Sequence, residues 1–532
     1  MLQTTWGTRG MVTAPHALAA QAGTDILRQG GNALEAMVAA AATIAVVYPH
    51  MNSIGGDGFW VILPPGGAPR AIRACGGAAA AASIATYHAR GMTTIPHRGP
   101  WAANTVAGTV GGWQAALDLS ETLGGRLPLA TLLSEAIRYA EDGIPVTASQ
   151  ARTTLAKMAE LRDQPGFAET FLPGGRAPVA GQRFVQPRLA HTLKRLARDG
   201  LDSFYRGSLA ADIAADLRAV GAPVGAADLA QYRAQCVTPL HYSHGCGELF
   251  NMTLPTQGVV SLAILGIAEH AGLARVAPES ADYVHVLVEA TKQAFSLRDR
   301  HVADPAVAGV DPQSLLESRH LGELAEAIAL TRAAPWGAGR GPGDTVWMGA
   351  IDGQGLAVSF IQSIYHEYGS GCVLPQTGIH WQNRGASFRL DPSALLALQP
   401  GRLPFHTLNP AAARLHDGRV MVYGTMGGDG QPQTQAALFT RYALFGQSLQ
   451  QSVTAPRWLL GRTWGQSSDS LKLESRFPQA LVEDLRSRGH VVEMLMDFDE
   501  TVGHAGAVVW HGENGFLEGA SDPRSDGGVA AY

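Results

Sequence analysis

Apolar and polar positions along this chain fall into blocks of two periods. Near the N-terminus, Met11-Val12-Thr13-Ala14 reads as a short strand, and Pro15-His16-Ala17-Leu18 starts a helix that runs from about Ala17 to Gln29. Gly30-Gly31 stops that helix, and Asn32 caps a second, apolar one reaching about Val47. The turn Ser53-Ile54-Gly55-Gly56-Asp57-Gly58 then feeds the strand Phe59-Trp60-Val61-Ile62-Leu63. Residues from about 112 to 335 read as mainly helical, with helices at Leu129–Asp142, Leu189–Arg198 and Ala281–Arg300. Breaks fall at Gly124-Gly125, Pro145 and Pro173-Gly174-Gly175.

After a connector rich in breakers, Pro335 to Pro342, the pattern turns strand-rich. Thr345 to Asp352, the turn Gly353-Gln354-Gly355 and Leu356 to Phe360 form a hairpin. Helices follow near Gln433–Leu444 and Gln479–Arg488. Strands and helices in both halves predict one interleaved α/β body, with which two sheets packed between helical layers are consistent.

Composition narrows the function classes. The 532 residues carry a net charge of −5 and no Lys/Arg run, which argues against a nucleic-acid partner. Only Lys157, Lys194, Lys292 and Lys472 are lysines, so few amines are available for Schiff-base chemistry. Cys75, Cys236, Cys246 and Cys372 form no CxxC pair; neither zinc nor redox chemistry is indicated, and scattered thiols fit a reducing compartment. The longest apolar run, Ala36 to Tyr48, is too short to span a bilayer and reads as a buried helix. Met1 to Trp6 has no charged-then-apolar leader pattern, so the expectation is a cytoplasmic protein without a membrane partner. No Gly-Lys dipeptide, G-x-S-x-G elbow or HExxH is present, and no cofactor or metal is expected. Gly55 to Gly58 and Ser521-Asp522-Pro523-Arg524 read as turns.

Candidate chemistry centres on Gly343-Asp344-Thr345-Val346-Trp347. A threonine opening a central strand after a breaker-rich segment suits a chain that cuts itself between Asp344 and Thr345. The freed α-amine then serves as general base for the Thr345 hydroxyl. Gly424-Thr425-Met426-Gly427-Gly428-Asp429-Gly430 offers two adjacent glycines whose N–H groups can approach an oxyanion without a Cβ in the way.

From about Gly7 to Gly527 the chain resembles the γ-glutamyltransferase family of N-terminal nucleophile hydrolases. That resemblance implies a four-layer αββα sandwich. It also implies self-cleavage into interleaved chains 1–344 and 345–532 that stay together, with a homodimer of the pair left open. It gives Thr345 the role of nucleophile and Gly427 and Gly428 that of oxyanion hole. Arg73 becomes a carboxylate ligand, and His406 and Thr407, in Pro404-Phe405-His406-Thr407-Leu408-Asn409-Pro410, become pocket walls. A partly cationic His406 would favour an anion. Ser363 lies in Gln362-Ser363-Ile364-Tyr365-His366-Glu367-Tyr368-Gly369, which departs from the family pattern and carries two bulky tyrosines that would shorten the pocket.

A second departure bears on the substrate. The family's Asn-Asn-Gln-Met-Asp-Asp-Phe is here Gln382-Asn383-Arg384-Gly385-Ala386-Ser387-Phe388. The acid that pairs with a substrate ammonium has become Ser387, and Arg384 adds a cation. Loss of one partner of a buried ion pair costs about 3–5 kcal/mol, so γ-glutamyl substrates should bind poorly. A small anionic amide, gripped by Arg73, Arg384 or both, should bind better. The sequence is most similar to the oxamate amidohydrolase branch, whose members turn oxamate into oxalate and ammonia. Ureide or purine catabolism is the implied setting. The alternative is a γ-glutamyl or glutaryl amide hydrolase of the same family.

Overall fold

The computed structural model describes residues 3–336, 344–461 and 468–532, with the side chain of Asp344 left out. The connector 337–343 and residues 462–467 therefore lie outside the described residues. Fourteen strands make up the two large sheets: β1 (Thr5–Gly7), β2 (Gly10–Ala14), β3 (Asp57–Leu63), β4 (Arg70–Ala74), β5 (Gln235–Val237), β6 (Leu240–His244), β7 (Gly247–Asn251), β8 (Asp344–Asp352), β9 (Ala357–Tyr365), β10 (Ala411–Leu415), β11 (Arg419–Gly424), β12 (Gly506–His511), β13 (Leu517–Ser521) and β14 (Gly528–Ala531). One sheet has the order β14-β2-β8-β9-β3-β4-β5 and the other β1-β13-β12-β11-β10-β7-β6. Every neighbour pair in both is antiparallel.

Helices cover the outer faces. Helices α1 (Ala17–Arg28), α2 (Ala33–Val47) and α3 (Thr109–Thr122) share a core with the sheet that holds β8. On the other side, α4 (Gly258–His270), α5 (Ala281–His301) and α6 (Gly430–Phe439) pack on the sheet that holds β11. Between the sheets lies a third apolar layer, including Met11, Phe59, Val61, Trp347, Ile361, Val422 and Val508. The architecture is the expected αββα sandwich. Strand alternation explains it: in β8, Val346 and Met348 point to the helices while Trp347 points to the opposite sheet.

Helix α2 is buried along its whole length and starts with a capping box, in which the Asn32 side chain accepts from Leu34 and Glu35 N–H while Glu35 reaches back to Asn32 N–H. The expected hairpin is present as β8 and β9, with Asp352 binding Gln354 and Leu356 N–H at its turn. Residues 112–335 are mainly helical as expected, with β6 and β7 adding a hairpin that completes the second sheet. One reading needs correction. The helix expected over Leu129–Asp142 is two, Leu129–Leu132 and Ser134–Asp142, parted at Leu133. Among the described residues no helix is long and apolar enough to cross a membrane.

Candidate active site

Thr345 lies near the start of β8 and is 1% exposed. Asp344 pairs with Tyr365 across the hairpin, and a register shift separates that pair from Val346–Gln362. A bulge at this point re-aims the intervening residue. The Thr345 hydroxyl donates to Ser363 Oγ at 3.3 Å, and Tyr365 N–H also donates to that oxygen, at 2.8 Å. Ser363 in turn sits opposite Asp57 on β3. Across β8, β9 and β3, Thr345, Ser363 and Asp57 thus form one row.

The glycine turn approaches from the other sheet. Gly349 of β8 lies against Val422 of β11, and Gly424 lies flat on the Trp347 indole, where a Cβ would not fit. Two residues back along β8 correspond to two forward along β11. Beyond the end of β11 the chain passes through Thr425 and Met426 to Gly427 and Gly428. These glycines have φ of +113° and +53°, a left-handed path that side chains resist. Their carbonyls accept from Gly430 and Gln431 N–H, which opens α6. Among the described residues neither glycine N–H donates a hydrogen bond within the protein. Two unspent donors at a helix N-terminus suit a developing anion. Asp429 anchors the turn through an ion pair with Arg298 of α5 at 3.0 Å, both side chains buried.

Gln257, which precedes α4, was not singled out by the sequence. Its Nε2 donates to Thr407 O at 3.0 Å and to Gly428 O at 2.8 Å. It thereby ties the segment of His406 and Thr407 to the glycine turn. The signal that could have found it is Pro255-Thr256-Gln257-Gly258, a polar stop before a long apolar helix.

Arg384 is 0% exposed, in a 3₁₀ turn over Arg384–Ser387, and lies over the Tyr365 ring at 4.0 Å. Among the described residues none of its three guanidinium nitrogens has a hydrogen-bond partner. Burial pulls its pKa down to about 10 while Tyr365, Asp57 and Cys75 oppose the shift, so it stays charged at neutral pH. His406 lies against Phe59 with ring centroids 4.8 Å apart, and its Nε2 is 3.5 Å from Asp57 Oδ2. Burial first, then Arg384, push the His406 pKa well below 6.5. The expectation of a partly cationic His406 is therefore corrected: the ring is neutral.

Asp57 is also fully buried and belongs to a strand at the site, which corrects its reading as part of a bland turn. Its Oδ1 accepts from Gly108 N–H at 2.9 Å. Burial raises its pKa to about 7 against the opposing pull of Arg384. Arg73 lies opposite Phe59 on β4 and is half-buried, with Nη1 donating to Leu254 O at 2.9 Å and Nη2 to the Gln235 side chain. It stands beside the edge strand β5 with these donors engaged, whereas Arg384 is enclosed. Of the two tyrosines expected to shorten the pocket, Tyr365 underlies Arg384. Tyr368 turns instead toward the helical layer, bonding Thr154 and packing on Phe167 and Phe171.

One metal-like cluster exists among the described residues, away from this row. His285, Glu289 and His490 bring their ligand atoms within 4.8 Å of one another. Each is already paired, His285 with His490 at 2.8 Å and with Ala329 O at 2.9 Å, and Glu289 with Lys292 at 2.6 Å. An ammonium beside the only carboxylate disfavours a cation there.

The gamma-glutamyltranspeptidase family model matches residues 19–532. The chain belongs to that family. It is 62% identical, over 99% of both chains, to a protein of Klebsiella pneumoniae subsp. pneumoniae named oxamate amidohydrolase proenzyme. It is 40% identical to a glutathione hydrolase-like proenzyme of Bacillus subtilis, over 98% of each. Among solved structures, cephalosporin acylase from Bacillus halodurans superposes with a TM-score of 0.92 at 33% identity, covering 100% of this chain and 97% of that one. The gamma-glutamyltranspeptidase family membership makes the chain an enzyme, and the αββα frame is the one these relatives share.

Proposed function

We propose that this family member is a self-processing amidohydrolase acting on oxamate. The precursor cuts between Asp344 and Thr345 into chains 1–344 and 345–532, which remain one fold because β8 pairs with β2 and β9 pairs with β3 across the cut. Thr345 Oγ attacks the amide carbonyl, and its own α-amine takes the hydroxyl proton and passes it to the leaving nitrogen. Gly427 and Gly428 N–H groups hold the oxyanion. Ammonia leaves, and water then cleaves the oxalyl ester, giving oxalate and free Thr345. Ser363 orients the Thr345 hydroxyl, and Thr407, held to the turn by Gln257, lines the pocket. Arg384 grips the substrate carboxylate, with Arg73 adding positive potential from the rim.

The observation that carries this reading is the buried guanidinium of Arg384 with no hydrogen-bond partner. A buried cation with unspent donors suits an anionic ligand. The similarity to the Klebsiella protein supports oxamate as that ligand. A γ-glutamyl or glutaryl amide is the second reading, favoured by the similarity to the glutathione hydrolase-like protein. Intact mass of the purified protein, with ammonia release from oxamate, tests the proposal. Two fragments and Thr345-dependent release are expected, with Thr345→Ala whole and inactive. A chain that never splits rejects self-processing. A cleaved enzyme that releases no ammonia rejects oxamate, and a γ-glutamyl anilide comes next.

A further inference from the structure

Asp57 has no place in the steps above, yet it shares the enclosed space of Arg384 and His406. Its Oδ1 accepts from Gly108 N–H, Gln382 and Gly76 also favour its anion, and Oδ2 faces His406 Nε2 at 3.5 Å. Among the described residues neither ring nitrogen of His406 has a hydrogen-bond partner. Arg384, on its own turn after Asn383, is close enough to stabilise the Asp57 anion but makes no ion pair with it within 4.0 Å. Cys75, which follows β4, and the phenols of Tyr205 and Tyr232 also feel Asp57; burial first, then Asp57, raises the pKa of the thiol, and all three stay neutral. Three buried groups therefore converge: a carboxyl, and an imidazole and a guanidinium whose nitrogens have no hydrogen-bond partner among the described residues.

Their charges decide what they can accept. With His406 neutral, a protonated Asp57 leaves the group at net +1, which one substrate carboxylate neutralises. An ionised Asp57 leaves it at zero, and a substrate carboxylate then makes a buried, uncompensated negative charge. Two carboxylates sharing one cation in a low-dielectric space do not both stay ionised.

We propose that Asp57 is a specificity-determining residue that must be protonated for the Arg384 subsite to accept a carboxylate, so that anion binding takes up one proton at this side chain. The inference rests on the reading of Arg384 as the carboxylate ligand. Its pH range is consistent with Asp57 titrating near 7. Above that range the affinity for an anion falls about tenfold per pH unit, because each unit makes the protonated form tenfold rarer. Asp57→Asn keeps the oxygen that accepts from Gly108 but cannot ionise. It should bind anions with an affinity independent of pH, and more tightly than wild type at pH 8.

The Thr345 α-amine of the matured enzyme also titrates near this range. Substitution of Asp57 separates the two. Oxalate is the probe: calorimetric titration of matured wild type and Asp57→Asn at pH 8, in two buffers of different ionisation enthalpy, counts protons. About one proton taken up by wild type and none by Asp57→Asn is the expected result. Binding without uptake overturns the proposal, as does equal uptake in both proteins, which would place the proton on another group. Failure of oxalate to bind an enzyme that hydrolyses oxamate overturns it too. If the protein neither binds oxalate nor hydrolyses oxamate, the proposed function fails, and the role of Asp57 with it. The wild-type proton count needs no variant, so a poorly folding Asp57→Asn would not rescue the idea.

Discussion

Two arginines are buried in this protein in opposite ways. Arg524 donates to Glu474 at 2.8 and 2.5 Å through two nitrogens and to Asp522 at 3.0 Å. Burial alone would lower its pKa, but Asp522 and Glu474 overcome that and raise it. Arg384 has no such partners, and its pKa moves down. The first arginine is finished by the fold, and the second is left incomplete by it. A polypeptide tolerates an incomplete buried charge where a ligand completes it. The same test sorts the carboxylates. Asp522 accepts from Ala505 N–H at 2.6 Å and lies between Arg457 and Arg524, so its pKa is lowered despite burial. Among the described residues no arginine forms an ion pair with Asp57, and burial prevails.

The comparison is broken most severely at the finished arginine. Arg524→Gln strands Glu474 and Asp522 and should cost about 3–5 kcal/mol of stability. Thermal unfolding should show a markedly lower midpoint for it. An unchanged midpoint would mean that the paired network is not structural.

Acid attacks the same region. His504 lies beside Asp522 and Arg457, and burial lowers its pKa to about 4. His16 is likewise lowered to about 4 by burial. Between that value and 6.5 the unfolded chain binds protons that the folded chain refuses. Stability is therefore full above pH 6.5 and falls as pH drops toward 4, by up to roughly 3 kcal/mol per histidine. Denaturant midpoints at pH 7 and pH 5 should differ in that direction, and substitution of His504 by Asn should shrink the difference.

Gly503 joins the two regions and offers the smallest effect. Its carbonyl accepts from Arg457 at 2.7 Å, and its Cα packs against the Gly427 face. At φ +89° a Cβ on it would stand 2.5 Å from Met426 O and Thr425 Oγ1. Gly503→Ala should push the oxyanion turn and lower kcat by about tenfold, less than the loss of a whole donor. A kcat equal to wild type would separate the paired network from the turn.

Local signals were legible in the sequence where chemistry is local. Asn32 with Glu35 marks the start of α2, and Gly353-Gln354-Gly355 marks the hairpin turn. The paired glycines at 427 and 428 announce a left-handed path. What escaped depends on contacts between distant segments. Gly55-Gly56-Asp57-Gly58 reads as a turn, because nothing nearby reveals that Asp57 will face Ser363 across a strand pair and His406 across the sheets. Ser521-Asp522-Pro523-Arg524 reads as a turn for the same reason, yet it supplies both signs of a buried network. The neutrality of His406 follows from complete burial and then from Arg384, twenty-two positions away, and its neighbours in sequence show neither. The four-layer arrangement itself came from family resemblance, since alternation and helical periodicity alone leave the packing of two sheets open.

The central claim is that Arg384 is unpaired because it awaits a substrate carboxylate. The direct measurement is kcat/KM for oxamate in matured wild type and Arg384→Gln, with the unfolding midpoint of each. A loss of roughly 30-fold or more in kcat/KM, carried by KM, with a midpoint equal to or above wild type is the predicted result. Equal kcat/KM in the two proteins, or a loss that tracks a collapsed midpoint, would contradict it.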